Sequence, residues 1–392
     1  MFQYFRSVYI SCCFLLCCLF SIPAQAGFDL GVYAHTPLNE TLLGSPGPDH
    51  GNGPFHGTVY FQYMNQKNVG KGNQLRLGLN TDTIWIIWDI GERLPGPWSF
   101  TIKAQGQFGF AGMTPDYFQA GRFYPDAGFL SFYGLFGGQA RYRLTPALRV
   151  VGHLELRQWF FMESTDAVGA LVLPRNGPGI RAFLGLHLFK MKKLRKGRLQ
   201  QGINAKIELH GKKRLNQEKW GAVDINGKMD LRNRFEPGFL AVQWFASVEA
   251  ALCLHRTFGA SLQISGGQSW QADDLQRFQI GGDLPFLPQV SGTYFSEFVV
   301  DDYLLVNLRF FWLPLERLRL IPQFDFFLGN DLSRTNQLSE LTSVIGLGLQ
   351  TEFFLSSAIR LVLKMSYAPN VTRPTTPGGF KVVLGVIGSW WP

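Results

Sequence analysis

The sequence predicts an all-β fold, a transmembrane antiparallel β-barrel of about 16 strands. Three observations carry this prediction. Hydrophobic residues make up 46% of the chain and charged residues only 17%, whereas soluble domains average roughly 25% charged. Beyond residue 26 no run of ~18 apolar residues is available for a spanning helix. Apolar and polar residues instead alternate through long segments, which reach the ~9–11 residues of a spanning strand and exceed the ~5–6 of soluble strands.

The first element is a leader. Arg6 is the lone cation ahead of an apolar run from Val8 to Phe20, Pro23 breaks the run, and Ala24-Gln25-Ala26 supplies small residues for cleavage. Residues 1–26 are therefore expected to leave as a signal peptide. Cys12, Cys13, Cys17 and Cys18 leave with it, so Cys253 alone remains and no internal disulfide can form. The full chain carries a formal charge of +9, and loss of Arg6 lowers it by one. That balance favours anionic neighbours such as lipid phosphate without naming one. Residues 27–56, rich in Gly, Pro, His and Asn, are expected to be irregular, and the barrel is expected to occupy 57–392.

Within that span the alternation is explicit. Trp98, Phe100 and Ile102 oppose Ser99, Thr101 and Lys103. Leu154 and Leu156 oppose His153, Glu155 and Arg157. Ile203, Ala205, Ile207 and Leu209 oppose Asn204, Lys206, Glu208 and His210. Phe324 and Phe326 oppose Gln323 and Asp325. Such patterning places one face against lipid and the other in a wet lumen, and closure satisfies every backbone group. Strands are expected near 57–66, 72–80, 82–90, 98–110, 128–142, 147–160, 179–190, 201–211, 238–249, 254–265, 275–281, 300–313, 316–328, 342–354, 356–368 and 379–391. Tight turns and long connections should alternate if both termini lie on one side. They do from 281 onward but not between 90 and 254, which points to a missed or split strand there.

Chemistry-bearing motifs are absent. There is no Gly-x-Ser-x-Gly elbow, P-loop or dinucleotide fingerprint. The seven His are scattered. His50 and His56 lack a neighbouring carboxylate or Cys set for a metal. His153, Glu155 and Arg157 read as an ion cluster inside the barrel rather than a catalytic set. The expectation is no enzyme, no cofactor and no nucleic-acid partner. Lys190 to Arg198 reads as a basic connection, either a solvated turn that anchors strand ends or one that meets the phosphates of lipopolysaccharide or other anionic lipid.

Residues 277–330 resemble the signature region of the BamA and two-partner-secretion (bacterial surface antigen) superfamily of outer-membrane barrels. Arg277-Phe278-Gln279-Ile280-Gly281-Gly282 resembles the family's Phe-x-Leu-Gly-Gly. Val290-Ser291-Gly292-Thr293-Tyr294 stands where the family has Val-Arg-Gly-Tyr/Phe. Asn307-Leu308-Arg309 stands at Glu-x-Arg, and Phe324-Asp325-Phe326-Phe327-Leu328-Gly329 at Phe-x-Asp-x-Gly. The resemblance implies a loop, 282–299, folded into the lumen, with Gly281, Gly282, Val290, Ser291 and Gly292 as its motif and Asn307, Arg309 and Asp325 as lumen-facing partners. The family's loop Arg and strand Glu are Ser291 and Asn307 here, so Asp325 is expected to be either wetted or paired with another lumenal cation. The short stretch before residue 57 leaves no room for the periplasmic POTRA modules of the family. Trp390-Trp391-Pro392 nearly matches the terminal aromatic that barrel-assembly machinery reads.

The function that this resemblance implies is outer-membrane protein assembly or translocation, through a weak seam between first and last strands and a movable lumenal loop. Its partners would be outer-membrane lipid including lipopolysaccharide, the barrel-assembly machinery and separate periplasmic proteins. The alternative is a passive porin lined by Arg149, Arg157, Lys206 and Arg309.

Overall fold

The computed structural model describes residues 27–37, 56–65, 73–79, 83–91, 96–107, 118–119, 122–123, 129–163, 171–194, 199–218, 220–222, 238–272, 276–280, 290–291, 293, 298–331, 340–356, 359–372 and 377–390. The expected leader, 1–26, lies outside the described residues.

The barrel strands are β1 (Gly27–Pro37), β2 (His56–Asn65), β3 (Gln74–Leu79), β4 (Thr83–Ile90), β5 (Trp98–Gln107), β6 (Phe129–Arg143), β7 (Leu148–Glu163) and β8 (Gly177–Leu194). They continue with β9 (Leu199–Arg214), β10 (Ala241–His255), β11 (Phe258–Trp270), β12 (Asp302–Leu315), β13 (Leu318–Asp331), β14 (Glu340–Phe354), β15 (Ile359–Thr372) and β16 (Pro377–Trp390). Each is hydrogen-bonded antiparallel to its neighbours in sequence, and β1 also pairs with β16, from Phe28↔Trp390 to Pro37↔Lys381. The order thus returns on itself. Three two-stranded ladders stand apart from it: Phe118–Gln119 with Arg122–Phe123, Leu171–Val172 with Gly221–Ala222, and Phe278–Ile280 with Phe298–Val300.

Two differences from the sequence expectation cancel in the strand number. Residues 27–37, expected to be irregular, form β1, so the barrel begins at 27 rather than 57. Residues 275–281, expected to be a barrel strand, contribute only Phe278–Ile280, which pairs outside the barrel order. The broken alternation of turns between 90 and 254 follows from the first difference. Omitting β1 exchanges the two ends for every strand up to β11, and the false strand restores them. With both corrected, residues 27 and 390 share the end of the short connections 144–147, 195–198, 256–257, 316–317 and 355–358. The opposite end carries 108–128, 164–176, 215–240 and 271–301. The short turns are closed by local side chains: Thr145 Oγ1 accepts from Leu148 N–H (3.0 Å) and Ser356 Oγ from Ile359 N–H (3.0 Å).

The basic segment expected as a connection is largely strand. Lys190 to Leu194 end β8 and pair with residues 199–203 at the short-turn end. The seam between β1 and β16 is also longer than expected of a weak point. It has ten residue pairs, against five between β2 and β3 among the described residues.

Alternation decides which face each side chain takes. Phe136, Leu156, Leu184, Ile207 and Leu252 point outward, each more than half exposed. Their inward neighbours Leu135, Glu155, Glu208 and Ala251 are buried. No helix of the described residues is long and apolar enough to cross a membrane, so the outward face of the sheet is the surface that would meet hydrocarbon. Leu184→Arg is accordingly expected to lower folding stability in lipid vesicles by ~2–4 kcal/mol. The inward Gln263→Arg should change it far less. Reversible unfolding of both variants in vesicles checks this, and equal losses would contradict the facing.

Candidate functional site: a lumenal segment seated on Asp325

The inner wall changes character along β12–β15. Toward the short-turn end it is mixed, with Asn307, Gln323, Glu352, Lys364 and Ser366 inward and buried beside Leu313, Ile321 and Val362. Toward the long-connection end the same faces carry Tyr303, Leu305, Phe327, Val344 and Ala368, also buried. These apolar side chains are not covered by lipid. They join Ile280, Val290, Phe298 and Val300, from the segment linking β11 to β12, in one hydrophobic cluster, with Phe245 and Phe278 packed against it. Burying an aliphatic or aromatic side chain of this size stabilises by roughly 1.5–3 kcal/mol, so the four segment residues constitute a substantial anchor.

The deepest polar contact of that segment is with Asp325. Its carboxylate is fully buried. It accepts from Ser291 N–H at 2.8 Å, from Asn307 Nδ2 at 2.6 Å and from Gln323 Nε2 at 2.8 and 2.9 Å. Pairing sets Asn307, Asp325 and Gly346 side by side on β12, β13 and β14, with Gln323 opposite Gly348 one step along. The glycines make room for the segment. A Cβ at Gly346 would sit 2.7 Å from Ser291 O, and one at Gly348 would sit 2.8 Å from Ser291 Oγ. A tight turn holds the backbone in place, with Thr293 Oγ1 donating to Val290 O at 2.7 Å.

Neither expectation for Asp325 holds. It is not wetted, and its partners among the described residues are three neutral donors rather than a cation. Ser291 accounts for this geometry. A small side chain lets the main chain descend onto bare glycines until an amide N–H reaches the carboxylate. The strand position expected to be acidic, Asn307, supplies a second N–H instead of a second negative charge. Dense neutral donors are a recognised way to hold a buried charge.

Of the predicted motif residues, Val290 and Ser291 are brought to Asp325 and Asn307. Gly281, Gly282 and Gly292 lie outside the described residues. Arg309 faces inward on β12 but makes none of the Asp325 bonds, and its Nε is buried without a hydrogen-bond partner. Sequence reasoning missed Gly346 and Gly348. The run Gly346-Leu347-Gly348-Leu349 carries their signal, since glycines on one face of a strand allow another backbone to approach.

The stems of the segment are also tied. Arg277 Nε lies 3.1 Å from Asp301 Oδ1 and donates to Ala272 O. Ser269 Oγ donates to Asp301 O at 2.9 Å. Gln276 O accepts from Lys212 Nζ at 2.9 Å and Gln243 Nε2 at 2.6 Å, across β9 and β10.

The rest of the lumen carries ion clusters. Asp89 takes Arg76 at 2.6 Å and Thr101 Oγ1 at 2.6 Å. Glu155 takes Arg157 at 2.6 Å and His153 at 3.5 Å, the cluster expected from alternation. Glu208 lies between His187 and His210, each at 2.8 Å. Glu352 holds Arg319 at 2.5 Å and Gln350 at 2.7 Å. No group of three or more His, Cys, Asp or Glu able to hold a metal occurs among the described residues, and the side chains of His50 and His56 lie outside them.

No family model and no curated protein matches the sequence. Solved structures do. CdiB from Acinetobacter baumannii superposes with a TM-score of 0.55 at 11% identity, covering 94% of this chain and 60% of that one. BamA from Haemophilus ducreyi lacking POTRA domains 1–3 gives 0.56 at 10%, covering 93% and 70%. CdiB from Escherichia coli gives 0.54 at 10%, covering 94% and 64%. The fold is that of an outer-membrane β-barrel. At these identities the likeness establishes fold alone, and the chain spans only about 60–70% of those proteins' lengths.

Two changes should loosen the seated segment by different routes. Asp325→Ala removes the acceptor and strands the Asn307 and Gln323 amides, a loss of ~1–3 kcal/mol. Gly346→Val leaves Asp325 intact but inserts side-chain atoms where Ser291 O lies. Both are expected to speed protease cleavage between residues 283 and 297 in the folded barrel, while Gly134→Ala, where a Cβ meets nothing within 4 Å, should not. Unchanged cleavage in the first two variants would contradict the seating.

Proposed function

We propose that this chain is a non-enzymatic barrel of the bacterial outer membrane whose lumen is gated by the segment 271–301, and that it serves protein assembly or translocation at that membrane. The observation that supports this most is the seat of Val290 and Ser291 on Asp325 inside the barrel. An unobstructed solute pore needs no segment that buries four hydrophobic side chains in its lumen. A gate does, because such a segment is held firmly yet attached at both ends. The ladder closing β1 on β16 satisfies the backbone in hydrocarbon and leaves the lumen as the regulated path. Partners in this reading are outer-membrane lipid, the barrel-assembly machinery and periplasmic proteins that deliver clients.

Planar-bilayer recordings test the gate. The full chain is expected to give small, flickering conductance, and deletion of 283–297 should raise it several-fold and steady it. Large steady conductance in the undeleted protein, unchanged by the deletion, would instead identify the porin. Deleting the gene distinguishes the client. Loss of defined proteins from the outer-membrane or secreted fraction with solute uptake intact supports the proposal, and the reverse pattern overturns it.

A further inference from the structure

The inner wall opposite the seated segment is unlike the rest of the lumen. Register places Lys103 on β5, Gly137 on β6, Glu155 on β7, Arg181 on β8 and Lys212 on β9 in one continuous inward row. Arg157 and Arg214 stand in the adjoining row toward the long-connection end, and His153 and His210 in the row on the other side. Glu155, the carboxylate within this group, is already engaged by Arg157 and His153. Glu208, further along β9, is engaged by His187 and His210. Among the described residues, Arg181 meets His210 Nδ1 at 3.3 Å through Nη2, and its Nε is buried with no hydrogen-bond partner. Clustered cations with their local carboxylates already in use concentrate anions in a confined aqueous cleft.

The geometry supplies a place for one. A cavity of about 70 Å³ lies between this wall and the stem of the lumenal segment, lined by Glu155, Arg157, Trp159, Arg181, Lys212 and Arg214, with Gln276 closing it. A water molecule's share of liquid volume is ~30 Å³, so the space suits one compact oxyanion. Arg157 is held for the purpose, its guanidinium 4.4 Å over the Tyr133 ring and 5.0 Å from the Trp159 ring while it bonds Glu155.

We propose that this wall binds a soluble phosphate- or carboxylate-bearing anion, with Arg157, Arg181 and Lys212 as its donors. Planar guanidinium groups suit such oxyanions because they donate in pairs. The site faces the interior of a closed ladder, so its ligand enters as a solute and not as the headgroup of surrounding lipid. The inference is independent of the client proposed above. It concerns what the lumen selects, and it stands whether or not a polypeptide crosses.

Titration calorimetry of the full-length barrel in zwitterionic nanodiscs, with inorganic phosphate and acetate as probes at low salt, tests it. Saturable binding is expected for at least one probe, weakened about tenfold or more by Arg181→Gln. Lys212→Gln should weaken it similarly while keeping a donor for Gln276 O, which covers the case that Arg181→Gln misfolds. Arg309→Gln, which removes a lumenal cation from the other wall, should leave it unchanged. Absence of binding overturns the proposal, as does equal weakening by Arg309→Gln, the mark of unspecific attraction. Loss of binding in anionic-lipid nanodiscs would assign the site to a headgroup and overturn the solute.

Discussion

Every strand here depends on hydrogen-bond closure. A sheet whose outward face is Phe, Leu, Ile and Trp cannot expose an edge to hydrocarbon, where an unpaired N–H or C=O costs several kcal/mol. The ladder must therefore return to its start, and β1 is the element that returns it. It pairs with β2 on one side and β16 on the other. The strictly alternating faces, the separation of short turns from long connections and the existence of an enclosed lumen all follow from that pairing. Without β1, fifteen strands would remain, and the chain's two ends would fall on opposite sides.

Within the enclosure the ordering problem is reversed. The lumen is polar enough to wet, so a segment folded into it gains nothing from simple insertion. It stays because the wall is apolar where it lies, and because one buried carboxylate loses a backbone donor at 2.8 Å when Ser291 leaves. At the seat stand a Ser, an Asn and two glycines, Ser291, Asn307, Gly346 and Gly348, and none of them is charged. Replacing a buried ion pair by neutral groups of matching geometry need not weaken a structure, whereas breaking one does. The lock here is short and stiff, made by a main-chain amide rather than a long side chain, and it tolerates little displacement before its hydrogen bonds lengthen beyond use.

How far this was legible can be traced to particular residues. The long strands were plain, because apolar residues alternate with polar ones without interruption from Trp98 to Gln105 and from Ile203 to His210. β1 carries the same signal, Phe28, Leu30, Val32 and Ala34 against Asp29, Gly31, Tyr33 and His35. It was obscured by the Gly- and Pro-rich stretch that follows. The false strand at 275–281 arose because Phe278 and Ile280 alternate correctly while packing into the lumen. Alternation reports two environments but not which ladder supplies them. The motif residues led to Asp325, but not to its neutral partners, since a backbone donor leaves no mark in a sequence. The one trace available was Tyr303, Leu305 and Phe327, bulky apolar residues clustered on the inward faces of β12 and β13 where the segment packs.

The two walls of the lumen then make opposite demands on what fills it. The β12–β15 wall offers greasy side chains, bare glycines and a charge already satisfied by neutral donors, and it holds protein. The β5–β9 wall offers Lys103, Arg157, Arg181 and Lys212, and a second copy of an apolar segment would strip those cations of water with nothing in exchange. Among the described residues, Gln276 of the segment meets the basic wall through a carbonyl that accepts from Lys212 at 2.9 Å. Such a contact is weak by comparison with the hydrophobic cluster and easily replaced by an anion or by water. On the gated reading, an anion bound along the basic wall would compete with this contact while leaving the seat on Asp325 in place.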